Sequence, residues 1–441
     1  MRRLLTTAVL GACVLYAPIA LARCGSFTGS TMAVGGVPQA KWRTDYPTSI
    51  GSPQTPWSAI SFKTEPQKYM ASVLDTARPH FRRSGRKLVG SSSEPWWISL
   101  WLDYTSSGRE PFMGLTKERG PSPGDVSPTN PGGSQVWAVG FYNAPGATVL
   151  ASVFARPCDP TLPPSVSFPE GTVSVKFLFT DASPNDVAYL HGAPEYDANI
   201  DEAGSGSAPR SVKNRSKRTV RLLQVDISVK DRNATATNWV FGTFGWVGPT
   251  KGDGLFDNLV PVSLQWGNDP GVYDSNIVQS WVNPSLVGVM YGWPTRMWPG
   301  FKGRANGAAD NIRSSCLSCH AAARTPRSPK GMLDHTFDMT NDINNAAKVK
   351  AHVDTWFRNI KGGTLFDPAA PAVSALDYSL QLEAAVVRIC KACDLGALQG
   401  PTPGICRAAS LFDKPSCDPP PPSIDTNPAA KSKLEAPPPR Q

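Results

Sequence analysis

The chain has 441 residues, a formal net charge of +9 and a hydrophobic content of 40%. With this hydrophobic content the chain is not too polar to fold and can bury a substantial core. Its length indicates more than one domain. The 43 prolines and 38 glycines predict many turns and strands rather than long helices. No array of interleaved basic and aromatic residues is present, and nucleic acid is therefore not an expected partner.

The first 22 residues have the pattern of a secretory signal. Met1-Arg2-Arg3 is basic, an apolar run follows, and Ala20-Leu21-Ala22 has the small-residue pattern of a cleavage site. No later segment is apolar enough to span a bilayer, and we expect no transmembrane segment after cleavage. The pattern predicts a periplasmic or secreted protein, with a retained N-terminal anchor as the alternative.

Residues 65–268 have the pattern of a β-rich domain that follows a flexible arm at 23–64. A helix is predicted over Gln67–Ala77 from the spacing of its apolar residues. Apolar and polar residues alternate over 172–179 and 223–230, where Leu223 and Val225 share the apolar face. Such alternation predicts strands with one face on a core and the other in water. Further strands are predicted at Trp96–Asp103, Val136–Tyr142, Thr148–Phe154, Trp239–Phe244 and Leu259–Gln265. Short strands without intervening helices favour a sandwich-like domain or a barrel.

After residue 268 the alternation stops, and residues 269–398 are predicted to form a small helical cytochrome c-like domain, separable near Asn268–Asn276. One helix begins near Thr340-Asn341-Asp342 and ends at Gly362-Gly363. Another begins at a capping box of Ser374 and Asp377. The fold class is therefore α+β. Residues 399–441 are a proline-rich tail that we expect to be disordered.

The stretch Cys316-Leu317-Ser318-Cys319-His320 has the Cys-x-x-Cys-His spacing of a c-type haem attachment site. Two thiols three positions apart lie about one helical turn from each other, and both can reach the vinyl groups of one haem. The adjacent histidine can then ligate the iron. We predict one covalent haem c per chain, with Cys316 and Cys319 as thioether sites and His320 as the proximal ligand. The alternatives are a disulfide within the motif, or half of a zinc site completed by Cys390 and Cys393.

The sixth ligand of the iron is less constrained by the pattern. Electron carriers close this position with Met or His. The candidates are Met290, Met297, Met332, His335, Met339 and His352. We favour Met339, with Met332 as the alternative, because Met339 lies in a longer loop that enters a helix and can cross the haem edge.

The remaining cysteines agree with export. Cys13 leaves with the signal, and two cysteines bind the haem. Those left over are Cys24, Cys158, Cys390, Cys393, Cys406 and Cys417. An even number of cysteines in an oxidising compartment predicts up to three disulfides.

The segment Arg210–Arg221 contains six basic side chains beside a flexible Gly-Ser run. One interpretation is a docking site for an acidic redox partner protein. The other is a solvated loop, which is the usual role of a run of charges.

Several stretches besides the haem motif carry a resemblance to a family. They are Trp137–Asn143, Trp239–Phe244, Leu264–Pro270, Trp356–Asn359 and Asp377–Leu382. In these stretches the chain resembles a group of exported bacterial cytochrome c family proteins, which join a β-rich N-terminal module to one C-terminal c-type haem segment. The resemblance implies haem binding and electron transfer, with a chemical role for Cys316, Cys319 and His320 alone, and it implies no substrate.

These patterns favour an exported mono-haem c-type cytochrome that transfers one electron in the cell envelope. A haem enzyme of the peroxidase type, with an open iron site, is one alternative. Another is a ligand- or carbohydrate-binding module carrying a haem, with Trp96, Trp97 and Trp101 as its aromatic platform. No Gly-x-Ser-x-Gly, His-Glu-x-x-His or phosphate-loop motif occurs in the chain, which favours the electron carrier over an enzyme.

Overall fold

The structure is a computed structural model. It describes residues 45–386 except 91–95, 100–103, 106–107, 110–114, 119–120, 122–123, 128–132, 156–159, 202–214, 249–250, 253, 291–298, 327–335 and 368–372. The predicted signal at 1–22, the tail at 399–441 and all six cysteines of the predicted disulfides lie outside the described residues.

The secondary structure alternates short strands with a few helices. The helices are α1 (Pro66–Ala77), α2 (Ala144–Val153), α3 (Cys316–His320) and α4 (Ala346–Trp356), and residues 380–386 are also helical. The strands are β1 (Phe81–Ser84), β2 (Lys87–Gly90), β3 (Trp96–Ile98), β4 (Tyr104–Thr105), β5 (Gly108–Arg109), β6 (Thr116–Lys117), β7 (Val136–Asn143), β8 (Val173–Thr180), β9 (Glu195–Asp201), β10 (Arg215–Lys230), β11 (Trp239–Trp246), β12 (Leu259–Gln265), β13 (Ser280–Val282), β14 (Arg324–Thr325) and β15 (Ser374–Ala375).

A nine-stranded antiparallel sheet is the centre of the fold. Its strand order is β13-β12-β11-β10-β8-β7-β3, with β6 beside β7 and β9 beside β10. The long strand β10 pairs with β9 through its first half and lies between β8 and β11 through its second half. The predicted β-rich α+β class is confirmed. Among the described residues, however, no second large sheet packs on the first as a sandwich would require.

Alternation predicted most of the central strands correctly. The strand at Leu259–Gln265 is confirmed residue for residue, and those predicted at 136–142 and 239–244 extend by one and two residues. The strand predicted at Thr148–Phe154 is wrong, because this segment belongs to α2. Asn143 caps that helix by accepting a hydrogen bond from Gly146 N, and Pro145 stands in the first turn, where proline is tolerated.

One face of β8 and β10 builds the main hydrophobic core. The odd-numbered residues of 173–179 and of 225–229 are buried there, together with the predicted helix, which is confirmed as α1. Leu223 was predicted on this face but belongs to a second cluster of buried residues. A register shift between Leu222 and Gln224 gives Leu222 the core position instead.

The segments on both sides of the predicted β-rich domain share its core. Trp57 and Phe62, from the described half of the predicted arm, are buried in it. Leu317, Phe357 and Leu376 join the same cluster from the C-terminal side. No separate bundle of helices of the cytochrome c type is found in the described part of residues 269–386.

The two predicted C-terminal helices begin later than expected. Helix α4 starts at Ala346, because Asn345 caps it by accepting hydrogen bonds from Ala347 N and Lys348 N. The capping box predicted at Ser374 and Asp377 is wrong. Ser374 lies in β15, Asp377 has a positive φ, and the helix is formed only from residue 380. In the described part of the chain, no helix has the length and apolarity that a membrane crossing needs.

Candidate functional site

The second face of β8 and β10 is mostly polar, and on β11 the same face carries Trp239 and Phe241 beside Thr243. This face does not face open solvent as predicted. Lys176, Asp226 and Thr243 stand opposite one another in register across the three strands and therefore share this face. The segments 306–320 and 377–381 lie over it. A cavity of about 210 Å³ remains between these segments and the sheet. The alternation of polar residues thus marks the floor of a cavity.

The cysteine motif begins the short helix α3 at the edge of this cavity. Ser315 caps the helix, since its hydroxyl accepts a hydrogen bond from Ser318 N and the Ser318 hydroxyl accepts one from Ser315 N. The side chain of Gln265 at the end of β12 accepts a hydrogen bond from Leu317 N at 2.9 Å. Leu317 itself is fully buried. Helix α3 is therefore fixed to the sheet through its first turn.

The two thiols of the motif reach the same cavity. Cys316 and Cys319 both line it, and no disulfide joins them. Three positions apart in one helix, they lie about one turn from each other, as attachment to a single haem requires. Burial raises the pKa of the Cys316 thiol well above its ordinary value, and the carboxylates of Asp310 and Asp226 add to this effect.

The ring of His320 lines the cavity beside the thiols. Its Nδ1 lies 2.8 Å from the carbonyl oxygen of Tyr378. Because a carbonyl can only accept, Nδ1 carries the proton and Nε2 keeps its lone pair. Burial lowers the pKa of His320 to about 4, and the ring is neutral at physiological pH. A neutral imidazole whose Nδ1 proton is bound by the backbone is the form that ligates a metal through Nε2.

The Tyr378 carbonyl belongs to a turn with an uncommon backbone. Asp377 and Tyr378 have φ values of 47° and 67°. This left-handed region costs an L-residue about 1–2 kcal/mol. The buried carboxylate of Asp377 offsets the cost, since it accepts hydrogen bonds from Lys230 Nζ at 2.8 Å, Trp239 Nε1 at 2.8 Å and Phe168 N at 2.6 Å.

Besides the two thiols and the imidazole, charged side chains of the sheet and of Glu118 and Asp310 line the cavity. Lys176 Nζ lies 3.4 Å from a Glu118 carboxylate oxygen. The side-chain amide of Gln224 donates to Asp226 at 2.7 Å and to Asp310 at 3.0 Å, and joins the two carboxylates. Burial and the neighbouring Asp310 carboxylate raise the pKa of Asp226 to about 7. This wall can therefore exchange a proton near neutral pH.

The candidates for the sixth iron ligand lie elsewhere or outside the described residues. Met339 packs against the main core and Met290 in the second cluster, and neither lines the cavity. His352 stacks on Phe337, and its Nε2 lies 2.8 Å from the carbonyl oxygen of Arg313. Met297, Met332 and His335 are not among the described residues. Met339 as the sixth ligand stays a prediction.

The side chains present fit a c-type haem. Two thiols one helical turn apart and a neutral imidazole, with its proton fixed on Nδ1, face one cavity. Among the described residues, no cluster of three or more His, Cys, Asp or Glu side chains could hold a metal ion. Cys390 and Cys393, which the zinc alternative requires, lie outside the described part of the chain.

Two other predicted interaction features take different places in the structure. Trp96 and Trp97 are buried, with 6% and 4% of their surface exposed, and do not form an exposed aromatic platform. Trp101 lies outside the described residues.

The structure describes residues 215–221 of the basic segment. They belong to β10 and are therefore not a loop. Lys217 pairs with Asp197, and Arg221 pairs with Glu195, both across the ladder with β9. Arg86 binds the same two carboxylates. The acidic residues of β9 thus balance part of the positive charge.

Sequence reasoning missed three charged residues near the site, which are Lys176, Asp226 and Asp377. No signal set the first two apart, because each occupies a polar position of an alternating strand, which fits a solvent-exposed face equally well. No protein-family model matches the chain, and no curated protein or solved structure matches it significantly. The site is therefore assigned from its chemistry alone.

Proposed function

We propose that this protein is an exported mono-haem c-type cytochrome that binds one haem covalently and transfers one electron. The observation that carries the proposal is the convergence of Cys316, Cys319 and His320 on one cavity, with the His320 Nδ1 proton directed at the Tyr378 carbonyl. Bound haem supplies an iron centre that exchanges an electron. The residues of the chain attach it, orient the imidazole and hold the imidazole proton at Nδ1.

The remaining parts of the proposal rest on the sequence. The signal at 1–22 supports a periplasmic or secreted location. The net charge of +9, which falls to +7 when Arg2 and Arg3 leave with the signal, supports an acidic redox protein as partner. We place the haem segment within residues 269–398, and the described residues of 269–386 share a hydrophobic core with the β-sheet.

Covalent haem retention tests this function directly. The full chain, expressed with a haem-attachment system, should keep its haem through denaturing electrophoresis and stain for it. Cys316→Ser combined with Cys319→Ser should abolish the stain completely, because no thioether can form.

The matched control is Cys390→Ser combined with Cys393→Ser. This pair has the same spacing but is followed by Asp394 instead of a histidine. It should stain as strongly as wild type per mole of chain. A stain that survives loss of Cys316 and Cys319 would contradict the proposal.

A haem enzyme with an open iron position is the second candidate. One observation favours it: Asp226, whose pKa burial and the Asp310 carboxylate raise to about 7, lines the same cavity. A carboxyl group with a pKa near the working pH suits general acid–base catalysis. The carrier and the enzyme differ in the ligation of the oxidised iron.

For the carrier we expect a low-spin, six-coordinate oxidised haem with the weak long-wavelength band of methionine ligation. Met339→Ala should remove this band, and the control Met290→Leu should keep it. A band that is lost instead in Met332→Ala would keep the carrier and move the ligand. A high-spin wild type that binds cyanide rapidly would favour the enzyme.

A further inference from the structure

The orientation of His320 depends on one backbone atom. The Tyr378 carbonyl oxygen lies 2.8 Å from His320 Nδ1 and also accepts a hydrogen bond from Leu380 N at 3.2 Å. The imidazole also packs beside the ring of Phe241, with the ring centroids 4.6 Å apart. A ring contact of this kind does not distinguish Nδ1 from Nε2, and the choice of tautomer therefore falls to the carbonyl.

The turn that carries this carbonyl is fastened to the sheet by the carboxylate of Asp377. Lys230 Nζ lies 2.8 Å from each of its two oxygens. Trp239 Nε1 donates to Oδ1 and Phe168 N to Oδ2. Lys230 and Trp239 stand opposite each other in β10 and β11. One side chain thus joins the turn to two central strands.

The surroundings of this carboxylate leave little room for another arrangement. Asp377 is only 2% exposed. A Cβ atom at Gly362 would lie 2.4 Å from both Asp377 Oδ1 and Lys230 Nζ, and only glycine fits there. The Tyr378 hydroxyl is held as well, since it donates to the carbonyl oxygen of Ile360. Positive φ values at two successive non-glycine residues persist only where the surroundings fix them in this way.

We propose that Asp377 is the positioning residue of the haem-binding histidine. Its carboxylate, bound by Lys230 and Trp239, holds the Tyr378 carbonyl where it fixes the proton of His320 on Nδ1 and points Nε2 into the cavity. Asp377 acts through the turn and does not itself touch the imidazole. The consequence for iron rests on the proposed function, whereas the consequence for the tautomer does not.

Fixing the Nδ1 proton has a chemical effect on a metal-binding imidazole. A firmly held acceptor at Nδ1 raises the basicity of Nε2, and a more basic ligand favours the oxidised iron. Loosening the turn should therefore raise the reduction potential of the haem. It should also let part of the His320 population move its proton to Nε2.

Substitutions at Asp377 and Lys230 can separate the effect of positioning on the reduction potential from the effect of charge. Asp377→Asn removes a negative charge and Lys230→Met a positive one, and Coulomb's law gives these losses opposite effects on the potential. The double variant leaves the net charge unchanged, and a charge effect cancels there. Asp310→Asn is the matched control, because it removes another carboxylate of the same cavity without touching the turn.

The tautomer can be measured without haem. In the haem-free full chain, ¹⁵N-histidine NMR at pH 8, above the ordinary histidine pKa of about 6.5, reports which nitrogen carries the proton. His320→Gln assigns the signal among the 5 histidines. Wild type and Asp310→Asn should give the Nδ1-protonated form. The double variant should gain an Nε2-protonated population and, when loaded with haem, a higher reduction potential than wild type.

If the double variant kept the wild-type tautomer, the inference about Asp377 would be wrong, and the proposal of haem binding would not be affected. Trp239→Phe covers the case in which the double variant does not fold, since it removes one donor to Asp377 and keeps both charges. It should show the same change in smaller degree, and a wild-type tautomer there would likewise overturn the inference. A wild type without covalent haem would overturn the proposed function alone, because the tautomer still decides the role of Asp377.

Discussion

Arg304→Met should lower the free energy of unfolding of the full chain by about 3 kcal/mol, because it leaves buried carbonyl groups without their donor. Arg304 is fully buried and donates to the carbonyl oxygens of Asn268, Asp269 and Val272, each at 2.9 Å. Its guanidinium also lies 4.4 Å from the centre of the Phe357 ring. Burial lowers its pKa to about 10, and the group remains a cation at neutral pH. The substitution therefore detaches the segment before the haem motif from the end of the sheet.

Chemical denaturation measures this loss, and Arg232→Met is the control. The Arg232 side chain is 77% exposed and pairs with Glu170 at 3.3 Å. Loss of such a surface pair should cost about 0.5 kcal/mol or less. Equal effects of the two substitutions would contradict the role assigned to Arg304.

A fragment that begins at Val272 should neither fold cooperatively nor take up haem. The structure places the floor of the cavity on β8, β10 and β11, all of which the fragment lacks. It would also lose Gln265, which holds Leu317 N, and Lys230, which holds the turn of Tyr378. Its buried apolar side chains would face water, since they share one core with the sheet.

Haem staining and cooperative unfolding of the purified fragment test this expectation. A chain that ends at residue 398 is the control, because the predicted tail lies beyond the haem segment. It should attach haem like the full chain. A fragment from Val272 that stains and unfolds cooperatively would show instead that the haem segment is an independent domain.

The sequence predicted those parts of the fold that depend on local pattern. Period-two alternation located β8 and helical spacing located α1, because each of these elements places a regular series of apolar side chains in the main core. The short apolar run of α2 fits a buried strand as well as a buried helix, and Asn143 and Pro145, which begin the helix, are also common in turns. The shift that moves Leu223 off the core face depends on pairing with β8, and alternation within one strand does not reveal it.

Local sequence pattern likewise predicts only part of the candidate site. Cys316, Cys319 and His320 are adjacent in sequence, and their spacing alone indicates their chemistry. The partners of these residues are distant in sequence, and no local pattern predicts them. Lys230 and Asp377 meet across 147 residues, and the Tyr378 carbonyl reaches His320 across 58. Ser374 and Asp377 fit a capping-box spacing, but Asp377 binds the sheet instead.

The mass of the mature wild-type chain, followed by peptide mapping, tests the central claim most directly. The account predicts a chain heavier than its sequence by one haem, with the added mass confined to the peptide that contains Cys316, Cys319 and His320. An unmodified peptide, or one in which Cys316 and Cys319 form a disulfide, would contradict it.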